Sequence, residues 1–270
     1  MNIYNKSPLE IKSEIPIFSV IDEYVQNYEQ IGKDVLNNIG SHGENPFMES
    51  EYWDKIENST LDIINKALKK NQNILDVGVG LGRLLNKIDV PVNKYGIDID
   101  LNQLKMVDKS INVCLSKVED IPYKDDFFDV VVCTDVLEHV LDLNTAISNI
   151  IRCIKPGGKL IIRVPYKENL SPYLDESYPY QYAHLRNFDE NNLQLLLEKI
   201  FSMKVTEVTY CGYINEYFRV KYFDELIILQ KIITKFINFS KIFNLSLSNR
   251  IYKSLLRPVE INVEAIKVEQ

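Results

Sequence analysis

The stretch Ile74-Leu75-Asp76-Val77-Gly78-Val79-Gly80-Leu81-Gly82-Arg83 reads as a short buried strand, a glycine-rich turn and the start of a helix. Glycines let a backbone turn tightly and approach a ligand with no Cβ in the way. Twenty residues after Gly78, Asp98 closes the run Tyr95-Gly96-Ile97-Asp98. That spacing puts a carboxylate at the tip of the second strand, where it can accept hydrogen bonds from both hydroxyls of a ribose. A nicotinamide-binding fold shares these features, but its third glycine falls three residues after the second, where this chain has Arg83. The spacing here is D-x-G-x-G-x-G.

Outward from this turn, short apolar runs alternate with helical segments. The runs are Ile74–Val77, Tyr95–Ile99, Val113–Leu115, Phe128–Cys133 and Leu160–Val164. They are too short for helices and are continuous rather than alternating, as suits strands buried on both faces. Leu101–Lys109 and Leu143–Ile154 are the helices between them, the second stopping at Pro156-Gly157-Gly158. Strand–helix alternation implies right-handed crossovers and an α/β, doubly wound, mostly parallel sheet.

Upstream, Trp53, Ile56, Thr60, Ile63, Ile64, Ala67 and Leu68 lie on one face of an amphipathic helix, whereas the first ~45 residues have weak periodicity. Downstream, Leu193, Leu196, Leu197 and Ile200 mark a helix capped by Asp189 or Asn187, and Met203–Tyr210 and Ile261–Val268 read as strands. The expected organisation is an N-terminal helical segment over the site (1–70), a core (71–212), a helical cap insertion (213–258) and a last, antiparallel core strand (259–270).

The 270 residues predict one large domain or one plus an appendage, at about 150 residues per domain. With 46% hydrophobic and 26% charged residues the chain has the balance of a soluble globular protein. Its net charge of −7 gives no bulk attraction to phosphate backbones, so no nucleic-acid partner is expected. Cys114, Cys133, Cys153 and Cys211 form no CxxC pair and read as buried thiols in a reducing cytoplasm. Charges interrupt the first residues before any leader-like apolar core forms, and no clean run of ~18 apolar residues predicts a membrane span.

With these blocks in place, residues from about Asn73 to Phe201 resemble the class I S-adenosylmethionine-dependent methyltransferases. Besides the glycine turn, Val118-Glu119-Asp120-Ile121-Pro122-Tyr123 is similar to that family's adenine segment, and Phe127-Phe128-Asp129-Val130-Val131 to its fourth strand. Leu137-Glu138-His139-Val140 resembles the turn after that strand, and Lys155-Pro156-Gly157-Gly158-Lys159-Leu160 the entry to the fifth. The resemblance implies that S-adenosylmethionine is the cofactor. Asp76 and the backbone of Gly78 would hold its methionine amino group, with Gly80 and Gly82 completing the turn. Asp98 would bind ribose, Ile99 would pack on adenine, and Val118 would offer its N–H to the ring. Thr134 or Asp135 would line the methyl end. The family often has an aspartate where this chain has Lys117, so the adenine amino contact would fall to Glu119 or to a carbonyl.

The cofactor carries the reactivity in methyl transfer, and the protein supplies alignment. A hydroxyl acceptor benefits from a general base or a metal, whereas an amine need only arrive unprotonated. His139 and His184 both fall at the carboxyl edge of the sheet, where open α/β sheets bind ligands. Three readings of His139 stand open. It is part of a structural turn; it is a general base oriented by Glu138; or Asp135, Glu138, His139 and His184 hold a divalent cation. The last set is similar to the metal site of small-RNA 3′-end and ubiquinone-type O-methyltransferases, with donors suiting Mn²⁺ or Zn²⁺ better than Mg²⁺.

The tyrosine-rich loop from Tyr166 to Asn187 suits a flat or sugar-like acceptor. Leu226–Leu247, with Lys231, Lys235 and Lys241 near one stripe, reads as a cap helix buried against the sheet or a partner subunit, which leaves a homodimer open; an interfacial membrane helix is the other reading. Together these features predict O-methylation of a small polar, sugar- or nucleotide-linked metabolite. The alternatives are an N-methyltransferase, a quinone or phenol O-methyltransferase, and a noncatalytic cofactor-binding protein.

Overall fold

In the computed structural model, described for residues 3–42, 50–214, 219–221, 226–241, 250 and 253–268, the strands join in one sheet. In chain order they are β1 (Glu10–Lys12), β2 (Ile15–Ile17), β3 (Asn73–Val77), β4 (Asn93–Asp98), β5 (Asn112–Leu115), β6 (Phe128–Thr134), β7 (Ile154–Pro165), β8 (Met203–Cys211) and β9 (Glu260–Lys267). Their spatial order is β1-β2-β5-β4-β3-β6-β7-β9-β8. The central strands β5, β4, β3, β6 and β7 are parallel, and β9 runs antiparallel to both β7 and β8. The sheet is Rossmann-like, mostly parallel, with the expected antiparallel last strand.

Successive side chains of a strand point to opposite faces, and here both faces are apolar. Leu75, Val77, Val131, Cys133, Leu160 and Ile162 enter one core cluster, while Ile74, Val130, Val132 and Ile161 enter the other. Helices α2 (Ser50–Ala67), α3 (Arg83–Asn86) and α4 (Leu101–Leu104) lie between strands in sequence, as does α5 (Leu143–Cys153). Residues of α2, α3 and α4 pack into the second cluster and those of α5 into the first. All four cysteines are buried and free, and burial pushes the Cys114 thiol up to about 12.

The structure departs from the sequence reading in several places. The weakly periodic N-terminus forms the β1–β2 hairpin, which bridges to β5 at Ile17 and Leu115, and then the helix α1 (Glu23–His42). Leu101–Lys109 is shortened, because α4, capped by the Asp100 carboxylate, ends at Leu104. The helix expected to stop at Pro156-Gly157-Gly158 ends at Cys153. Ile154 already pairs with Phe128, and the Pro-Gly-Gly segment is accommodated by a register shift before Lys159 pairs with Val130. Asp189 is the cap of α6 (Glu190–Gln194), in a reciprocal capping box with Asn192, and a wider π-helical turn, Leu195–Ile200, follows.

The insertion carries α7 (Ile227–Lys241), whose buried Ile237 belongs to a small cluster with Val220 and Leu256. Ile228, Ile232, Phe236 and Phe239 are exposed, so this helix is not buried against the sheet as expected. The remainder of Leu226–Leu247, from 242 on, lies outside the described residues. No helix among the described residues is long and apolar enough to cross a membrane.

Candidate active site

The strands that supply the candidate residues reach one edge of the sheet. The parallel strands β3, β4, β6 and β7 end there, and β9 begins there, with Glu260 paired to Pro165. A cleft of about 710 Å³ follows this edge. Over β3 and β4 it is lined by Asp76, Gly78, Gly80, Asp98 and Ile99, and then by Val118 and Glu119; Thr134 lies at its middle. Gly82 does not reach it. Its backbone is left-handed, with φ +74°, and a Cβ there would sit 3.1 Å from both Ile111 and Val107.

Asp76 is buried, and its Oδ1 has no hydrogen-bond partner. Burial, and then the charge of Asp98, hold its carboxyl well above the usual carboxylate range. Such an orphaned acid fits a cationic amino group. Asp98 accepts the Gly80 N–H at 2.8 Å and the Asp100 N–H at 2.9 Å. A carboxylate offers about four lone-pair positions, so it keeps room for a further donor such as a hydroxyl.

Gly78 has φ +79°, and a Cβ on it would lie 2.3 Å from Val136 Cγ2. The close approach of the turn after β6 therefore demands glycine there, independently of any ligand. Gly80 has φ +50°, and its Cβ would meet only the movable Gln103 side chain at 3.1 Å, so the left-handed backbone is the constraint.

Lys117, at the position that breaks the expected pattern, pairs with Asp22 and lies over the Tyr24 ring. Asp22 in turn accepts the Val25 N–H at 3.1 Å at the start of α1. The substituted lysine thus fastens α1 along the cleft, where Tyr24, Tyr28, Ile31 and Gly32 line the wall. The other end of the wall is tied by Asn27, whose Nδ2 donates to Tyr182 O at 3.1 Å, and by the Tyr180 hydroxyl, which donates to Asp34 at 3.0 Å.

A family model described as "Methyltransferase domain" matches residues 75–162, the run from β3 into β7 that carries these groups. The chain carries a class I S-adenosylmethionine-dependent methyltransferase domain. The domain is similar to the ubiquinone/menaquinone biosynthesis C-methyltransferase UbiE of Pectobacterium atrosepticum, with 32% identity over 109 residues, 36% of this chain and 43% of that one. It is 28% identical over 162 residues to phosphoethanolamine N-methyltransferase 1 of Arabidopsis thaliana, covering 56% of this chain and 32% of that one. The chain spans about half or less of the curated relatives described. Among solved structures, Haemonchus contortus phosphoethanolamine N-methyltransferase 2, in complex with phosphomonomethylethanolamine and S-adenosylhomocysteine, superposes with a TM-score of 0.60 at 18% identity. The match covers 94% of this chain and 62% of that one.

Beyond Thr134 the cleft of the methyltransferase domain continues over β6, β7 and β9. The His139 and His184 rings meet edge to face with centroids 4.5 Å apart, and the Tyr28 ring stands against His139 at 5.4 Å. Burial, and then His184, push His139 down to about 4, so its ring is neutral near pH 7. His139 Nδ1 and both oxygens of buried Glu138 lack hydrogen-bond partners. Glu138 Oε1 lies 3.9 Å from His139 Nε2, beyond hydrogen-bonding range, so no such bond orients the ring. Glu138, His139 and His184 bring ligand atoms within 4.8 Å of one another.

Asp135 does not join that cluster. Arg163 Nε donates to its Oδ1 at 3.2 Å, and Nη2 binds its Oδ2. Of the four residues expected to hold a cation, the structure brings together Glu138, His139 and His184. Sequence reasoning also missed Glu168, which bonds His184 Nδ1 at 2.5 Å and accepts the Tyr173 hydroxyl at 2.8 Å. It missed Arg163 and Glu260 as well. Their signal was present, since a charge within or beside a strand buried on both faces needs a partner or a task.

Proposed function

We propose that this protein transfers a methyl group from S-adenosylmethionine to a small polar acceptor, with a hydroxyl oxygen as the receiving atom. The observation that carries the reading is the continuity of the cleft: the cofactor-type groups over β3 and β4 open directly into the histidine-lined half over β6 and β7. When bound, the cofactor supplies a methyl group on a sulfonium, ready for in-line displacement. Asp76 would hold the amino group and Asp98 the ribose, with Ile99 and Val118 against the base. Tyr28, Tyr178 and Tyr180 are among the cleft-lining rings, and their apolar faces would favour exclusion of water. His139, neutral and bordering this half, could take the acceptor proton.

The relatives act on carbon and nitrogen, so the choice of oxygen rests on the sequence reading. A second reading, a divalent cation held by Glu138, His139 and His184, is favoured by their orphaned atoms. Incubating the purified protein with S-adenosylmethionine and a panel of hydroxyl- and amine-bearing small molecules tests the proposal. Formation of S-adenosylhomocysteine dependent on an acceptor supports it. Tight cofactor binding without turnover on any of them would point to a noncatalytic binding protein.

A further inference from the structure

Four carboxylates line the acceptor half of the cleft: Asp135, Glu138, Glu168 and Glu260. Two of them are satisfied within the protein. Asp135 is held by Arg163, and Glu168 by His184 and Tyr173. The other two are not. Glu138 is 1% exposed with neither oxygen bonded, and Glu260 is 5% exposed with Oε2 unbonded.

A carboxylate withdrawn from water without a partner is costly, and folds keep such groups where something else completes them. The charge of Arg163 reaches both acids, but it hydrogen-bonds neither, being committed to Asp135, to the Thr60 hydroxyl at 3.1 Å and to the Trp53 ring at 5.2 Å. Arg219 also borders the cleft, and it donates to Pro258 O at 3.4 Å. Aromatic rings also line the cleft, among them Tyr28, Tyr173, Tyr178 and Trp53. Orphaned acids among π faces are the chemistry that recognises an organic cation.

We infer that the acceptor carries a cationic nitrogen, held between the carboxylates of Glu138 and Glu260 and the aromatic wall. The inference rests on the proposed methyl transfer for its setting, and is independent of which acceptor atom receives the methyl. A neutral polyol would also stack on tyrosines and donate to carboxylates, so charge is the property to test. A divalent ion would satisfy the same acids and is the competing source of positive charge.

The probes are choline and its uncharged isostere, in which carbon replaces the quaternary nitrogen. Each is titrated into wild-type protein saturated with S-adenosylhomocysteine, in buffer containing EDTA. Binding is followed by calorimetry and by the fluorescence of Trp53, the chain's one tryptophan, which sits in the cleft wall. Choline is expected to bind roughly tenfold or more tightly than the isostere, the scale of a desolvated cation contact. Glu260→Gln should remove most of that preference and leave affinity for S-adenosylhomocysteine unchanged.

Equal binding of the two probes, or binding of neither, beside a normal S-adenosylhomocysteine titration would overturn the inference and leave the methyltransferase reading intact. Failure to bind S-adenosylhomocysteine would remove both. Manganese(II) chloride, titrated without EDTA, is the metal arm; its binding to protein that ignores choline assigns the acids to a metal and overturns the inference. The wild-type comparison needs no variant, so a misfolded Glu260→Gln leaves the test decisive.

Discussion

Arg163, near the end of β7, forks onto the carboxylate of Asp135, the first residue after β6, with Nε 3.2 Å from Oδ1. Asp135 sits at φ +55°, a left-handed conformation unfavourable for a residue with a Cβ. The fork holds that turn, and through it the direction in which Glu138 and His139 leave the strand.

Asp135→Ala should therefore destabilise the protein by about 3 kcal/mol, because it removes the hydrogen-bonded ion-pair partner of the buried Arg163 guanidinium. The low end of the usual range applies because the Asp135 side chain is 28% exposed. Urea unfolding at neutral pH measures the difference. A loss below about 0.5 kcal/mol, the size of an ordinary surface substitution, would mean the fork is not structural.

Asp98→Ala should weaken S-adenosylhomocysteine binding by about 1–3 kcal/mol, the range for losing a hydrogen-bonded charged group. Calorimetric titration reads this directly. The substitution also removes the acceptor for the Gly80 N–H, so the glycine turn should loosen alongside the lost ribose contact. Unchanged affinity would show that Asp98 serves the turn alone.

Asp76 gives cofactor affinity a pH dependence. Burial raises its pKa in the free protein, and a bound ammonium group favours the ionised carboxylate, so binding releases a proton. Affinity for S-adenosylhomocysteine should rise with pH up to the elevated pKa of Asp76 and then level off. The stability of the free protein runs the opposite way. A carboxyl whose folded pKa exceeds its unfolded one holds more protons when folded, so stability is lost as pH rises through that window. Calorimetry in buffers of different ionisation heat counts the released proton. Asp76→Asn should abolish both the release and the slope.

The core of this fold was legible because strands buried on both faces leave a coarse signature: unbroken runs such as Phe128–Cys133, bounded by polar turns. The β1–β2 hairpin was not, since three-residue strands such as Glu10–Lys12, exposed throughout, carry no hydrophobic period. Asp76 and Asp98 could be placed because their distance from the glycine turn is set locally. Glu168 and Glu260 could not, because their neighbourhood depends on where a loop and an antiparallel strand arrive from more than a hundred residues away in the second case. Lys117 looked like a defect in the adenine segment. Its reason, the ion pair with Asp22, lies 95 residues off in the chain.

The three readings of His139 separate by one substitution and one chelator. As a general base, His139→Ala should lower turnover by ~10²–10⁴ while EDTA has no effect. Burial leaves the ring unprotonated and able to accept a proton at neutral pH, while making it a weaker base than a free imidazole. If Glu138, His139 and His184 hold a cation, EDTA should abolish turnover and Mn²⁺ should restore it. Glu138→Gln and His184→Ala should then fail together with His139→Ala, since each lost ligand weakens the site. Asp135→Asn should behave differently from these three, because the carboxylate it alters is committed to Arg163 and lies outside the cluster. S-adenosylhomocysteine affinity is the control, and it should stay within about twofold in the histidine variants, whose side chains lie away from the ribose and amino sites. Full turnover in His139→Ala would leave the pair Glu138-His139 as a turn. An amine acceptor, which needs no base once neutral, would then replace the hydroxyl in the proposed reaction.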